Sequence, residues 1–308
     1  MLGFKLVYHP DYDLHLGDHI FPSQKYRLVR ERLLAEGLAT PDDFVQPEPA
    51  SDEDVLLVHE PGWIQRLKTG TLDFQELLRL EIPYSRKMVR AVFLATGGSI
   101  LAARLALEDG VAFNLSGGFH HAFPDHGEGF CAIHDVAVAL RRLQRDGLIR
   151  RAMVVDCDVH QGNGTAYIFR ADPSVFTISI HQYNNYPSLK PPSDIDIHLP
   201  DETGDEEYLE LLSQAYLKSL DDFRPDLVAY VAGADPYELD QLGGLSLTLE
   251  GLKERDRLVF QAALDHGAAV FVTLAGGYAV NVDDTVTIHV NTVKAGQEVL
   301  AAHRVRRS

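Results

Sequence analysis

The stretch DCDVHQGNG, residues 156–164, follows the apolar run Ala152-Met153-Val154-Val155. A short, continuously apolar run of this kind reads as a buried strand. Strand residues i and i+2 share a face, so Asp156 and Asp158 point the same way as the strand ends. His160 falls on the turn beyond, where Gly162 and Gly164 permit tight backbone. A carboxylate and an imidazole two residues apart at a buried strand end form half of a metal site. The other half must come from elsewhere in the chain.

Outward from this stretch, short apolar runs alternate with helical patterns along the whole chain. The expected strands are 5–9, 55–59, 111–114, 152–156, 175–181, 227–232 and 269–274. Helical patterns cover 23–36, 61–68, 84–109, 134–146, 205–222, 248–267 and 284–302. Thr40-Pro41-Asp42-Asp43 and Thr248 followed by Glu250 carry helix-start signals. Continuously apolar strands separated by helices imply a mainly parallel sheet covered on both faces. The expectation is one three-layer α/β domain over residues 1–308, with no repeat or linker dividing it.

Composition narrows the function classes. Of 308 residues, 45% are apolar, enough for a sizeable core. No run of about 18 apolar residues predicts a membrane span, and Met1 to Pro10 lacks a signal-peptide pattern. Cys131 and Cys157 form neither a disulfide framework nor a CxxC motif, so a cytoplasmic location is expected. The formal charge of −17 argues against direct nucleic-acid binding. It favours cationic partners weakly, or serves only solubility. The basic tail His303 to Arg307 reads as a frayed end rather than a binding arm. Nothing in the pattern indicates an oligomeric state.

Five strand ends carry residues of catalytic type, which is where ligands bind in open parallel sheets. They lead to His120-His121, to Asp156, Asp158 and His160, to His181, to Asp235, and to Gly276-Gly277-Tyr278. Asp158, His160 and Asp235 would offer two carboxylates and an imidazole with a position open for water or substrate. Zinc suits such a site and acidifies bound water to about pKa 7, although the oxygen-rich set also suits iron or manganese. His120 and His121 are candidates for general base and acid, with Asp156 and Asn163 orienting them. The Tyr278 hydroxyl could donate to an oxyanion opposite the metal.

SGGFHHA (116–122), GFC (129–131), DCDVHQGNG (156–164), AGADPYELDQLGGL (232–245) and LAGGY (274–278) together resemble the histone deacetylase superfamily, in order and over nearly the whole chain. The resemblance implies the arginase/deacetylase fold, with an eight-stranded parallel sheet and one catalytic zinc ion. It implies zinc ligation by Asp158, His160 and Asp235, and a catalytic pair His120 and His121, the second the usual acid and base. Asp156 would partner His120, and Asn163 would partner His121. Some relatives have aspartate there, so the asparagine should leave the His121 imidazolium less stabilised. Tyr278 would polarise the scissile carbonyl. Gly118, Gly129, Phe130 and Tyr186 stand at substrate-binding positions, Gly129 and Phe130 as tunnel wall and Tyr186 as the facing aromatic. A structural potassium site would use Asp156, Asp158, His160, Ser179 and Ile180.

HGEGFCAIHDVA (126–137), DVHQGNG (158–164), YNNYP (183–187) and GDEEYL (204–209) are most similar to class IV members and their bacterial relatives, some of which favour long acyl chains. The related arginases bind a second metal through a DAHxD turn, but Gly162 stands two residues after His160. One metal and amide hydrolysis are therefore expected. The implied substrate is an acyl-lysine peptide or protein, acetyl or longer. An acylated polyamine or other small amine is the alternative, and an idle acyl-lysine-binding module a third reading.

Overall fold

Every strand of the sheet runs the same way. The computed structural model describes residues 2–307. Its strands are β1 (Leu6–Val7), β2 (Phe44–Val45), β3 (Val111–Asn114), β4 (Ala152–Asp156), β5 (Val175–Gln182), β6 (Ile195–Leu199), β7 (Leu227–Val231) and β8 (Ala269–Thr273). They form one eight-stranded parallel sheet in the order β2-β1-β3-β8-β7-β4-β5-β6. The central strands are wholly apolar or nearly so, β-branched and buried, as strands covered on both faces must be.

The helices are α1 (Lys25–Ala35), α2 (Asp52–Val55), α3 (Pro61–Thr69), α4 (Phe74–Leu80), α5 (Arg86–Asp109), α6 (Asp135–Arg145), α7 (Asn163–Phe169), α8 (Asp205–Phe223), α9 (Leu249–Asp265) and α10 (Val282–Arg307). Adjacent residues of β3 show the layering. Asn114 donates from Nδ2 to the Ala95 carbonyl of α5 at 2.9 Å, whereas the Phe113 ring lies 5.9 Å from Phe260 of α9. Successive strand side chains face opposite ways, so α5 and α9 cover opposite faces. The result is the single three-layer domain expected from the sequence.

Several details differ from expectation. Residues 55–59 are not a strand: α2 ends at Val55, started by a capping box in which Ser51 and Asp54 bond each other's backbone N–H, and turns follow. Thr40-Pro41-Asp42-Asp43 begins only a single 3₁₀ turn. The two-residue β2, the edge strand β6 with its alternating Ile195-Asp196-Ile197-His198-Leu199, and the short helices α4 and α7 were not anticipated. The tail is not frayed. Helix α10 continues to Arg307, and Arg304 donates to the carbonyls of Gly3 and Asp109. Among the described helices, α5 alone is long and apolar enough to cross a membrane, yet 67% of its most apolar window is buried inside the molecule. Its apolar surface is core.

Helix α5 carries two glycines where other elements press against it. A Cβ on Gly97 would lie 1.9 Å from the Glu48 carbonyl oxygen. In an open helix Gly→Ala stabilises by about 1 kcal/mol; here the backbone contact reverses the sign. Gly97→Ala should lower stability by about 1–3 kcal/mol, read by urea denaturation. A raised midpoint would remove the close contact from this account.

His59 supplies a second prediction. Its Nε2 accepts from the His134 N–H at 2.9 Å, next to the start of α6. Burial pushes the His59 imidazole down to about 4. The folded pKa lies below the unfolded one, so the unfolded state binds more protons as pH falls through 6.5 towards 4, and the stability His59 contributes is lost in that window. Between pH 7 and 5 the loss should be about 2 kcal/mol. His59→Gln, which keeps an acceptor that does not titrate, should flatten that part of a stability-against-pH curve; an unchanged slope would refute the assignment.

Candidate active site

The last rung of the sheet places the chemistry. Asn114 pairs with Thr273, Thr273 with Val231, Val231 with Asp156, and Asp156 with Ser179. Four segments therefore leave the central strands at one level, at their carboxyl ends. They carry His120 and His121 after β3, Asp158 and His160 after β4, Asp235 after β7, and Tyr278 after β8.

Buried charged groups pin these segments from behind. The Asp135 carboxylate accepts from the N–H of Gly118 (3.1 Å) and Phe119 (2.8 Å). Arg255 of α9 donates to the carbonyls of Cys157 (3.3 Å) and Gly233 (2.7 Å), tying the exits of β4 and β7 together. Lys25 of α1 donates to the carbonyls of Ala275 (2.6 Å) and Gly276 (2.9 Å). Burial pulls this ammonium down to about 8 against the attraction of Asp235, Asp158 and Asp240. The Tyr278 N–H donates to Asp240 at 2.6 Å.

Asp158, His160 and Asp235 converge in the buried centre, with donor atoms all within 4.8 Å of one another. Asp158 Oδ2 accepts from the Gly276 N–H (2.9 Å), and Asp235 Oδ1 from the Val159 N–H (2.9 Å). Asp235 Oδ2 is buried without a hydrogen bond, with His160 Nδ1 3.5 Å away. Burial, then the neighbouring Asp158, pushes the Asp235 carboxyl up to about 7. An orphan carboxylate oxygen beside a second carboxylate and an imidazole fits a cation. No side chain fits at Gly276, where a Cβ would sit 1.9 Å from Asp235 Oδ2.

The tandem histidines flank this cluster. His120 Nδ1 lies 2.7 Å from Asp156 Oδ2, and His121 Nδ1 lies 2.7 Å from Asn163 Oδ1. Burial alone would depress His120, but Asp156 and Asp158 outweigh it and lift the imidazole to about 9. His121 moves the other way: burial, then His120 and His160, push it well below its ordinary value. The sequence led us to expect a lower His121 pKa with asparagine than with aspartate at position 163, and the pKa is low. In the structure the Asn163 bond favours the charged form, and desolvation dominates.

A cavity of about 240 Å³ opens onto His121, His160 and Tyr278, with Gly129, Phe130 and Tyr186 as walls and exposed Glu81 at its outer end. The Tyr186 ring stands at 87° to His121 with centroids 4.9 Å apart, and the Phe130 and Tyr278 centroids lie 6.1 Å apart. Burial and the nearby Asp158 and Asp235 raise the Tyr278 hydroxyl well above its ordinary pKa, so it remains a donor. Gly118 does not line this cavity; it packs against Ala275, where a Cβ would come within 2.7 Å. Ser179 lies beside Asp156 on β5 with Ile180 next to it, and its hydroxyl is 2.9 Å from His181 Nδ1.

Sequence reasoning missed Lys25, Glu81, Glu128, Asp135, Asp240 and Arg255. Glu128, Asp135 and Asp240 lie inside quoted motifs, where their clustering with assigned residues was the available signal. Lys25 and Arg255 sit in ordinary helical stretches, which hold no such signal.

Comparison with known proteins agrees with this arrangement. A histone deacetylase domain model matches residues 19–293. A protein of Picosynechococcus sp. is 43% identical over 97% of this chain and 100% of its own. Histone deacetylase 2 of Arabidopsis thaliana is 30% identical over 89% of this chain and 74% of its own. The acetoin utilization protein AcuC of Bacillus subtilis is 30% identical over 88% and 76%. The crystal structure of the HDA15 HD domain superposes with a TM-score of 0.80, at 23% identity over 97% of this chain and 92% of that one, a likeness of fold. With five motifs in order and most of its length matched, this chain belongs to the histone deacetylase family.

Proposed function

We propose that this deacetylase-family chain is a zinc-dependent amidohydrolase that removes an acetyl or longer acyl group from the side-chain amine of lysine. Family membership supports a hydrolase acting on amides. The observation that carries the finer reading is the orphan Asp235 oxygen in a three-ligand cluster whose His160 shares a cavity with His121 and Tyr278.

Asp158, His160 and Asp235 would hold the zinc ion, which when bound supplies Lewis acidity and water acidified to about pKa 7. The chain's own residues do the rest. Phe130 and Tyr186 enclose the acyl-lysine stem and exclude water. His121, neutral and held through Nδ1–H by Asn163, takes the proton of the attacking water at Nε2 and delivers a proton to the departing amine. His120, kept protonated by Asp156, adds positive charge beside the developing anion. The Tyr278 hydroxyl donates to the carbonyl oxygen as negative charge grows on it. A structural potassium ion at Asp156, Asp158, His160, Ser179 and Ile180 belongs to the same proposal, supported by the juxtaposition of β4 and β5. A reducing, cytoplasmic setting does too, supported by the unpaired, buried Cys131 and Cys157.

One observation favours a second substrate class. Exposed Glu81 lines the cavity and, among the described residues, no lysine or arginine does, which suits an acylated small amine carrying a second, protonated nitrogen. Turnover of a panel of acyl-lysine peptides and acyl-polyamines by zinc-loaded protein separates the two; inertness toward the whole panel would overturn the hydrolase reading.

Two substitutions test the assigned roles. Tyr278→Phe should retain metal and lose about 10²–10³ in kcat. Asp235→Ala should lose metal affinity itself, measured by equilibrium metal analysis. Undiminished turnover in the first, or full metal content in the second, would remove that residue from the scheme.

A further inference from the structure

We propose that Glu128 is a positioning residue for the reaction, fixing the amide of Asn163 and through it the tautomer of His121; this rests on the amidohydrolase reading above. Residues 128–131 form a two-residue turn in which Glu128 and Cys131 exchange both backbone hydrogen bonds (3.0 and 2.9 Å). Gly129 and Phe130 both have positive φ, 51° and 69°, the pattern of a type I′ turn. The N–H groups of Gly129 and Phe130 are tied to the carbonyls of Arg79 and Leu80 at 3.0 Å each. The turn that presents Gly129 and Phe130 to the cavity therefore also anchors the backbone of Glu128.

That side chain faces Asn163. Glu128 Oε1 accepts from Asn163 Nδ2 at 2.6 Å, and Asn163 Oδ1 accepts from the Gly164 N–H at 3.0 Å. A carboxylate has no proton to give and a backbone N–H cannot accept, so both contacts demand one orientation of the amide. Asn163 Oδ1 then faces His121 Nδ1 as an acceptor, and the neutral imidazole must carry its proton on Nδ1. Its Nε2 is left with the lone pair a base needs. A flipped amide would donate to Nδ1, move the ring proton to Nε2 and disable the base. A carboxylate at position 163 would need no such restraint, since either oxygen accepts. Burial, then the nearby Glu128 charge, raises the Tyr186 hydroxyl well above its ordinary pKa, and Glu128 Oε2 lies 3.4 Å from His126 Nε2.

The test combines kinetics with the ¹⁵N shifts of the His121 imidazole in zinc-loaded protein. Glu128→Gln retains an oxygen that accepts from Asn163 and should keep the Nδ1–H tautomer and most of kcat. Glu128→Leu fills the space without an acceptor. It should shift the tautomer towards Nε2–H and lower kcat about tenfold, with metal content unchanged. In an Asn163→Asp background the same Glu128→Leu change should leave kcat unchanged or raise it, because two carboxylates no longer face each other. A wild-type tautomer and kcat in Glu128→Leu, or an equal loss in both backgrounds, would overturn the proposal. If the wild-type protein hydrolyses no acyl-amine, the amidohydrolase reading fails, while the tautomer still decides for Glu128: a shift in Glu128→Leu supports it, and no shift overturns it.

Discussion

Two carboxylates, Asp158 and Asp235, share a dry pocket in which both cannot ionise freely without positive charge beside them. Much of the surrounding structure answers that constraint. The N–H groups of Gly276 and Val159 each donate to one of these carboxylates, and the Lys25 ammonium sits behind the Gly276 backbone. Gly276 has no side chain because any Cβ would collide with Asp235. One oxygen, Asp235 Oδ2, is left without a hydrogen bond beside His160, where a cation can meet it.

The same economy holds the four loops in register. Loops seldom hold their own geometry, because their backbone groups have no ladder to satisfy them. Here Asp135, Arg255 and Lys25 reach from helices to bond the amides and carbonyls of the segments leaving β3, β4, β7 and β8. Each is a buried ion, costly unless fully bonded, so each favours one arrangement of the loop it serves. Rigid elements thereby transmit their precision to histidines and carboxylates that lie outside them, as a preorganised site requires.

The central sheet was legible in the sequence because its strands are unbroken apolar runs between helical patterns, as in Ala152–Val155. The cluster of Asp158, His160 and Asp235 and the histidines beside it were legible because motif spacing and strand-end placement coincide, as in Asp156, Asp158 and His160. What escaped was set by partners distant in sequence. Residues 55–59 have strand-like composition, but the Ser51–Asp54 capping box starts a helical turn and leaves no sheet edge for them. β6 alternates Ile195, Ile197 and Leu199 with Asp196 and His198 because it lies at the edge, and so lacks the run that marks an inner strand. Lys25 carries no local sign of burial, since its role exists only once Ala275 and Gly276 lie above it. Asn163 Oδ1 does lie 2.7 Å from His121 Nδ1, whereas the dominance of desolvation over that bond follows from the burial of His121, which no local motif shows.

The spread of the site along the chain has a consequence for how the protein comes to exist. The bond from Asp158 to Gly276 spans 118 residues, and that from Lys25 to Gly276 spans 251. Closing such long loops costs entropy before any contact rewards it, and parallel pairings of high contact order are intrinsically slow to form. β7 and β8, the last strands of the chain, insert between β3 and β4 in the middle of the sheet. A nascent chain that has emerged only as far as β6 therefore holds two half-sheets with exposed inner edges, the kind of surface that invites misassociation. Completion of the sheet and assembly of the candidate site are thus one event, reached only when β7 and β8 close the gap.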